Sequence, residues 1–171
     1  MKLLKKILLI IAILIAIPLI IALFVPKDFV SESEIIINKP KHEVFNYIKY
    51  IKNQDNFGVW QLMDPGMKTT SEGIDGTVGF KYSWDGKKVG KGSQTITKIV
   101  EDEHMESELD FSFGEPAKGY FILKEINPDQ THVTWGISGK SPYPWNFIGL
   151  FMNMDKDFKE GLQNLKRIME K

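Results

Sequence analysis

The spacing of apolar residues takes three characters in turn along this chain. Residues 7–25 read ILLIIAILIAIPLIIALFV, without a charge or an amide. A helical rise of ~1.5 Å per residue makes this run ~28 Å long, close to the ~30 Å hydrocarbon core of a bilayer. A run apolar on every side has nowhere to hide in so small a chain, so it predicts a transmembrane anchor over 1–27 rather than a core helix. A cleaved signal peptide is the rival. Its apolar region is shorter and ends in small residues, whereas this run closes on Leu23-Phe24-Val25-Pro26. Pro18 sits mid-span, where membrane helices tolerate a kink.

The second character is a period of two. Residues 29–37 predict a strand, dense in β-branching at Ile35, Ile36 and Ile37. Pro40 and Glu43 then suit a helix start, and Val44, Phe45, Ile48 and Ile51 recur at helical spacing, predicting an amphipathic helix over 40–51. Residues 53–66 read as irregular with one short turn, and contain Phe57, Trp60 and Met63. From Gly76, alternation places Val78, Phe80, Tyr82 and Trp84 on one strand face. Asp85-Gly86 predicts a hairpin, with a polar return strand over 89–100. After a charged turn at 101–104, Met105, Ser107, Leu109, Phe111 and Phe113 share a face. Residues 120–126 and 132–138 predict two more strands, the last aligning Val133, Trp135 and Ile137.

The third character is a return to helical spacing. Phe147, Phe151, Met154, Phe158, Leu162, Leu165 and Met169 recur at steps of three or four, predicting one long helix over 145–169. A run of antiparallel strands and one long helix must bury their apolar faces against each other, an α+β arrangement over residues 28–171. A strongly twisted sheet curls around such a helix and leaves room for a cavity between them.

Charge and composition remove several function classes. The 171 residues balance 22 basic against 22 acidic side chains and include no cysteine. Disulfides, thiolate metal sites and cysteine nucleophiles are therefore excluded. Lys2, Lys5, Lys6 and Lys27 lie in the first 27 residues with no acid, leaving 18 basic against 22 acidic residues elsewhere, a net of −4. An acidic domain without a basic stripe argues against nucleic acid as a partner. The lysines before the span predict a cytoplasmic N-terminus and a domain on the outer side, a bias that Lys39 and Lys41 reduce.

Candidate chemistry is sparse. Residues 86–93, GKKVGKGS, have the wrong spacing for a phosphate loop and lead into a strand pattern rather than a helix. Glu101, Asp102, Glu103, Glu106, Glu108 and Asp110 form an acidic cluster, but the last three alternate along a strand and read as a solvated face that Lys91 and Lys98 can pair. His42, His104 and His132 lie in unrelated elements, without metal-ligand spacing. No cofactor and no metal is expected, and no Ser-His-Asp pattern is present.

The order of elements resembles the helix-grip superfamily of START-related and Bet v 1-like domains, and within it the polyketide cyclase/dehydrase-type branch of SRPBCC proteins. The likeness rests on Ile37-Asn38-Lys39-Pro40 leading into Glu43-Val44-Phe45, and on Gly76-Thr77-Val78-Gly79-Phe80 with Tyr82-Ser83-Trp84. It continues through residues 90–96 (GKGSQTI), 131–135 (THVTW), 147–152 (FIGLFM) and 157–162 (DFKEGL). It covers nearly all of residues 29–171. Phe57 departs from the tryptophan-rich loop of relatives, although Trp60 is present. The resemblance implies a curved antiparallel sheet wrapped around the C-terminal helix, and a hydrophobic ligand between them. It carries no shared catalytic set.

Nineteen of the chain's aromatic residues follow residue 27. Tyr and Trp tips need polar partners when buried, so aromatic faces with Gln94 describe an apolar cavity holding a few donors. The candidate cavity residues are Trp60, Phe80, Tyr82, Trp84, Gln94, Leu109, Phe111, Trp135, Phe151, Met154 and Phe158. The expected function is membrane-anchored binding of a lipid- or polyketide-like molecule. The alternatives are a cyclase- or hydrolase-type enzyme using the same cavity, and an interaction module with a filled core. About ten residues separate Val25 from the core of the first strand, so the domain is expected close to the membrane.

Overall fold

The computed structural model describes residues 2–150 and 154–171. They fall into two compact units. One holds the N-terminal stretch through Phe29 with the stretch from Lys140, and the other holds Val30–Gly139 with Met154–Lys171.

In the first unit, α1 (Lys2–Ala22) is one continuous helix with Pro18 inside it. Its apolar stretch Leu3–Ala22 is long and apolar enough to cross a membrane, and its side chains are exposed along almost its whole length, with Ala22 at the C-terminal end buried. The helix starts five residues before the apolar run and stops at Ala22, where the chain turns through Leu23 and Phe24. A 3₁₀ segment, Trp145–Leu150, belongs to the same unit.

The second unit is built on a seven-stranded sheet in the order β1-β7-β6-β5-β4-β3-β2. These strands are β1 (Asp28–Ile37), β2 (Lys68–Glu72), β3 (Lys81–Gly86), β4 (Gly90–Val100), β5 (His104–Asp110), β6 (Ala117–Asn127) and β7 (Gln130–Lys140). The chain crosses from β1 at one edge to β2 at the other through α2 (Lys41–Ile48), a 3₁₀ segment (Ile51–Asn56) and α3 (Val59–Met63). The final helix, α4 (Asp155–Met169), buries Phe158, Gly161, Leu162 and Leu165, a stripe at steps of three and four. Register shifts at Ile96/Lys98 and at Glu125/Asn127 mark the irregularities that bend strands of this length. The architecture is the helix-grip α+β fold: a curved antiparallel sheet closed by a C-terminal helix.

Several local expectations change. The predicted 25-residue helix is a 3₁₀ segment followed by the shorter α4. Asp155 and Asp157 give α4 its own acidic first turn, and Lys166 and Arg167 its basic last turn, so helix polarity favours a fresh start there. Phe151, part of the predicted seam, lies outside the described residues. The first soluble helix ends at Ile48 because Tyr50 is extended before the 3₁₀ segment. The hairpin turn falls on residues 87–89, with Asp85 and Gly86 still paired to Lys91 and Gly90. Val78 leaves the inward face and is 60% exposed, because Gly76 and Gly79 adopt positive φ and start the strand late. Phe113 is likewise exposed, since Ser112 at φ 62° breaks the alternation after β5.

Gly161 decides how closely α4 can approach. A Cβ there would lie 2.5 Å from Cζ3 of Trp135, whose ring is stacked 5.0 Å from Phe121 and hemmed by other rings. Alanine would gain ~1 kcal/mol of helix propensity, but overpacking a fixed ring costs ~1–3 kcal/mol. Gly161→Ala is therefore expected to lower the unfolding free energy despite its helix preference, as read from denaturant midpoints. A more stable variant would show that Trp135 has room to move.

Candidate functional site

The antiparallel register assembles the inward wall from single strands that alternate. Tyr82 faces Gln94, Gln94 faces Leu109, and Leu109 faces Ala117 across four successive strands. Met105 faces Phe121, which faces Trp135. Of the candidate residues, Tyr82, Trp84, Gln94, Leu109 and Trp135 thus share one face of the sheet. Phe80, just before β3, joins the wall by pairing its backbone with Ile96. Trp60 comes from α3, Phe158 from α4, and Met154 sits half-buried immediately before α4.

The end of this wall beneath α4 is filled by rings. Trp135 stacks on Phe121 at 5.0 Å and meets Phe57, Trp60 and Phe158 edge-on at 5.3, 6.1 and 5.1 Å. Trp60 also meets Phe158 at 5.1 Å. Edge-to-face and offset stacks of this kind are worth ~0.5–1.5 kcal/mol per pair beyond area burial. Phe57 is fully buried in this cluster.

The β3–β5 end differs. Trp84, Leu109 and Phe111 are only half-buried. Trp84 and Phe111 meet edge-on at 6.2 Å. Trp84 lies across Gly92 on the facing strand, where a Cβ would fall 2.4 Å from its Cζ2, so the residue opposite the indole has to be glycine. Between the two ends the amide of Gln94 donates to Ser107 Oγ at 2.9 Å, and both residues are buried. The wall therefore carries one satisfied polar pair amid apolar surface.

Tyr82 points its phenol toward the 3₁₀ segment and donates to Asp55 at 2.8–2.9 Å. Burial is the main cause that pushes this phenol up to about 12, and the bond to Asp55 adds to it. Partial desolvation raises the Asp55 carboxyl, against the hydrogen bond from Tyr82, with nearby Asp75 raising it further. Asp75 itself accepts from the backbone N–H groups of Ile51 and Lys52, holding the 3₁₀ segment in place. The pair ties β3 to that segment, and the phenol keeps its proton at neutral pH.

An open groove of about 650 Å³ lies on the outer face of the sheet, lined by residues including Glu32, His104, Glu106, Lys118 and Tyr120. Tyr120 donates to Glu32 at 2.5 Å, bridging β6 and β1, and desolvation with this bond raises its pKa. His104 Nε2 lies 3.0 Å and Lys118 Nζ 3.4 Å from Glu106. Desolvation works to raise the Glu106 carboxyl, but these two partners outweigh it and hold it below the usual range. The lysines that could pair with some of the acidic strand residues are Lys91 and Lys98 on the preceding strand. Lys91 instead pairs with Asp85 on β3 at 2.8 Å, and Glu106 takes its partners from β5 and β6. Among the described residues, no group of three or more His, Asp or Glu is arranged to hold a metal ion.

No family profile matches the sequence, and no curated protein matches it. Solved structures do match in fold. Norcoclaurine synthase from Thalictrum flavum, in complex with dopamine and hydroxybenzaldehyde, is 9% identical with a TM-score of 0.63, covering 87% of this chain and 90% of its own. A truncated form of that enzyme gives a TM-score of 0.65 at 8% identity, covering 82% and 92%. The Aha1 dimer from Colwellia psychrerythraea gives 0.59 at 13% identity, covering 83% and 96%. At such identities the likeness establishes the helix-grip fold, the fold that the SRPBCC resemblance implies.

The Tyr82 phenol supplies a pH test. An unfolded tyrosine ionises near ~10, whereas the folded one is held neutral up to about 12. Between these values the unfolded chain binds fewer protons, so stability present below pH ~10 is lost as pH rises through this window. Denaturant midpoints across it should fall more steeply for the native chain than for Tyr82→Phe, which at neutral pH should cost about 1–2 kcal/mol for the lost bond to Asp55. Equal slopes would show that Tyr82 and Asp55 do not pair in solution.

Proposed function

We propose that this chain is a single-pass membrane protein whose helix-grip domain binds a hydrophobic small molecule, lipid- or polyketide-like, between the sheet and the C-terminal helix. The observation that carries this reading is the half-buried wall formed by Trp84, Leu109 and Phe111 beside the buried Gln94–Ser107 pair. Apolar walls with a few placed polar groups are the common form of small-molecule sites. The ring-filled end, with Trp60, Trp135 and Phe158, serves as the floor, and Phe80 and Tyr82 flank it. A solved structure of the same fold holds two small aromatic compounds, dopamine and hydroxybenzaldehyde, which agrees with binding of this kind.

The test uses the full chain purified from membranes. Solvent extraction and mass spectrometry should find a co-purifying hydrophobic compound in the native protein. Leu109→Asp with Phe111→Asp should reduce its occupancy by about tenfold or more, since ~1.4 kcal/mol of lost apolar contact already gives that factor, while circular dichroism stays native. A native chain carrying nothing beyond bulk bilayer lipid would count against binding and favour the interaction module with a filled core.

In the proposed topology α1 is the anchor. Lys2, Lys5 and Lys6 stay cytoplasmic and the domain lies on the outer side. A reporter that is active only in the cytoplasm, fused after Lys171, should be dark, and a bright signal would reverse the orientation.

A further inference from the structure

The unit that contains α1 also holds a second stretch of chain, far away in sequence, against the end of that helix. The last carbonyls of a helix have no partner within it. Here the side-chain amide of Asn146 donates to Ala22 O and to Val25 O, both at 2.8 Å, and Asn146 and Ala22 are each only 2% exposed. Two residues beyond Val25, Lys27 O accepts from the backbone N–H of Ser141 at 2.7 Å. Residues 141–146 are thereby fixed at the level of residues 22–27.

That level has a physical meaning. The uncharged run Ile7–Val25 follows Lys6 directly, and at ~1.5 Å per residue it spans ~28 Å, close to the thickness of the hydrocarbon core. Residues 22–25 then lie at the boundary where acyl chains give way to headgroups. The side chains around it are unusual for a surface in water. Phe24 is 83% exposed, Trp145 62% and Tyr143 43%. Lys27 and Lys140, also exposed, flank them. Trp and Tyr at a membrane–water boundary, with lysines beside them, are the composition that the interfacial layer favours. Exposed apolar side chains gathered at one place mark an interaction surface.

We propose that residues 141–146 form a membrane-interface collar, in which Trp145 and Tyr143 insert beside Phe24 into the headgroup layer at the exit of α1, held there by Asn146. The occupant of this surface is the lipid of the bilayer that α1 crosses. The proposal rests on α1 being a membrane span and adds a second, chain-distant contact with the same bilayer.

The chain's lack of cysteine allows single labelling sites. Full-length Trp145→Cys, Tyr143→Cys and Ile13→Cys, each carrying an environment-sensitive nitrobenzoxadiazole dye, would be reconstituted into vesicles of phosphatidylcholine and phosphatidylglycerol. The vesicles would contain lipids bearing a nitroxide at either a shallow or a deep position. Dye at 13 should be quenched best by the deep nitroxide. Dyes at 143 and 145 should emit blue-shifted light and be quenched roughly twofold better by the shallow nitroxide, as expected of groups at the headgroup level. In the Tyr143→Cys chain, which keeps Trp145, adding Asn146→Ala should reduce the shallow quenching by about half or more, leaving position 13 unchanged in its own labelled chain. Water-like emission without quenching at 143 and 145, with position 13 still quenched, would overturn the collar and leave the anchor standing. Loss of quenching at 13 as well would overturn both. Quenching at 143 that is indifferent to Asn146→Ala would overturn the role given to that asparagine.

Discussion

The contact between Trp135 and Gly161 is the constraint on which the grip depends. An indole in the middle of β7 can be buried only if something large covers it, and α4 covers it at a distance that forbids even a methyl group. Phe121, Phe57, Trp60 and Phe158 then close around the same ring, so that strands β6 and β7, helix α3, helix α4 and the loop before α3 all meet at one side chain. Tight interiors transmit strain rather than absorb it. Fixing α4 at this end relieves the β3–β5 end of the task of holding the helix. On the proposed reading, that division lets Trp84, Leu109 and Phe111 stay half-buried for a ligand while the fold remains closed.

The strands were legible because their period is strict. Tyr82, Gln94, Leu109 and Trp135 alternate with polar neighbours, and the structure sets all four on the inward face. The seam of α4 was legible for the same reason, since Phe158, Leu162 and Leu165 repeat at helical steps. Elements without an apolar signature were not. The edge strand β2 reads KTTSE with every side chain exposed, so its existence depends on the backbone pairing of β3 and not on burial. Breaks in alternation were also hidden. Ser112 takes a left-handed conformation that no pattern of apolar residues reports, and Phe113 leaves the wall as a result.

The candidate site divides in the same way. Its aromatic residues follow from alternation, but the partners of its polar groups depend on register and on long-range placement. Gln94 meets Ser107 only because β4 and β5 pair in one register, and a slip of one residue would turn both to the other face. Asp55 reaches Tyr82 from an irregular segment 27 residues away. On the outer face, Glu106 belongs to a strand whose acids read as a solvated face. Its partners His104 and Lys118, and the neighbouring Tyr120–Glu32 bridge, appear only once β5, β6 and β1 are set in order.

Asn146 shows the limit of local reading most clearly. In sequence it is an unremarked polar residue inside what scans as an amphipathic helix. In the structure it supplies donors to the end of a helix more than 120 positions earlier. A helix that ends inside water needs no such help, because water satisfies its last carbonyls. A helix that ends at the edge of hydrocarbon has less water to call on, and each unsatisfied carbonyl there is costly. On the proposed reading of α1 as a membrane span, a buried amide bonded to Ala22 and Val25 is the arrangement expected where the helix leaves the bilayer. Asn146 lies in the stretch that reads as one long helix in sequence, yet its side chain is bonded to Ala22 and Val25.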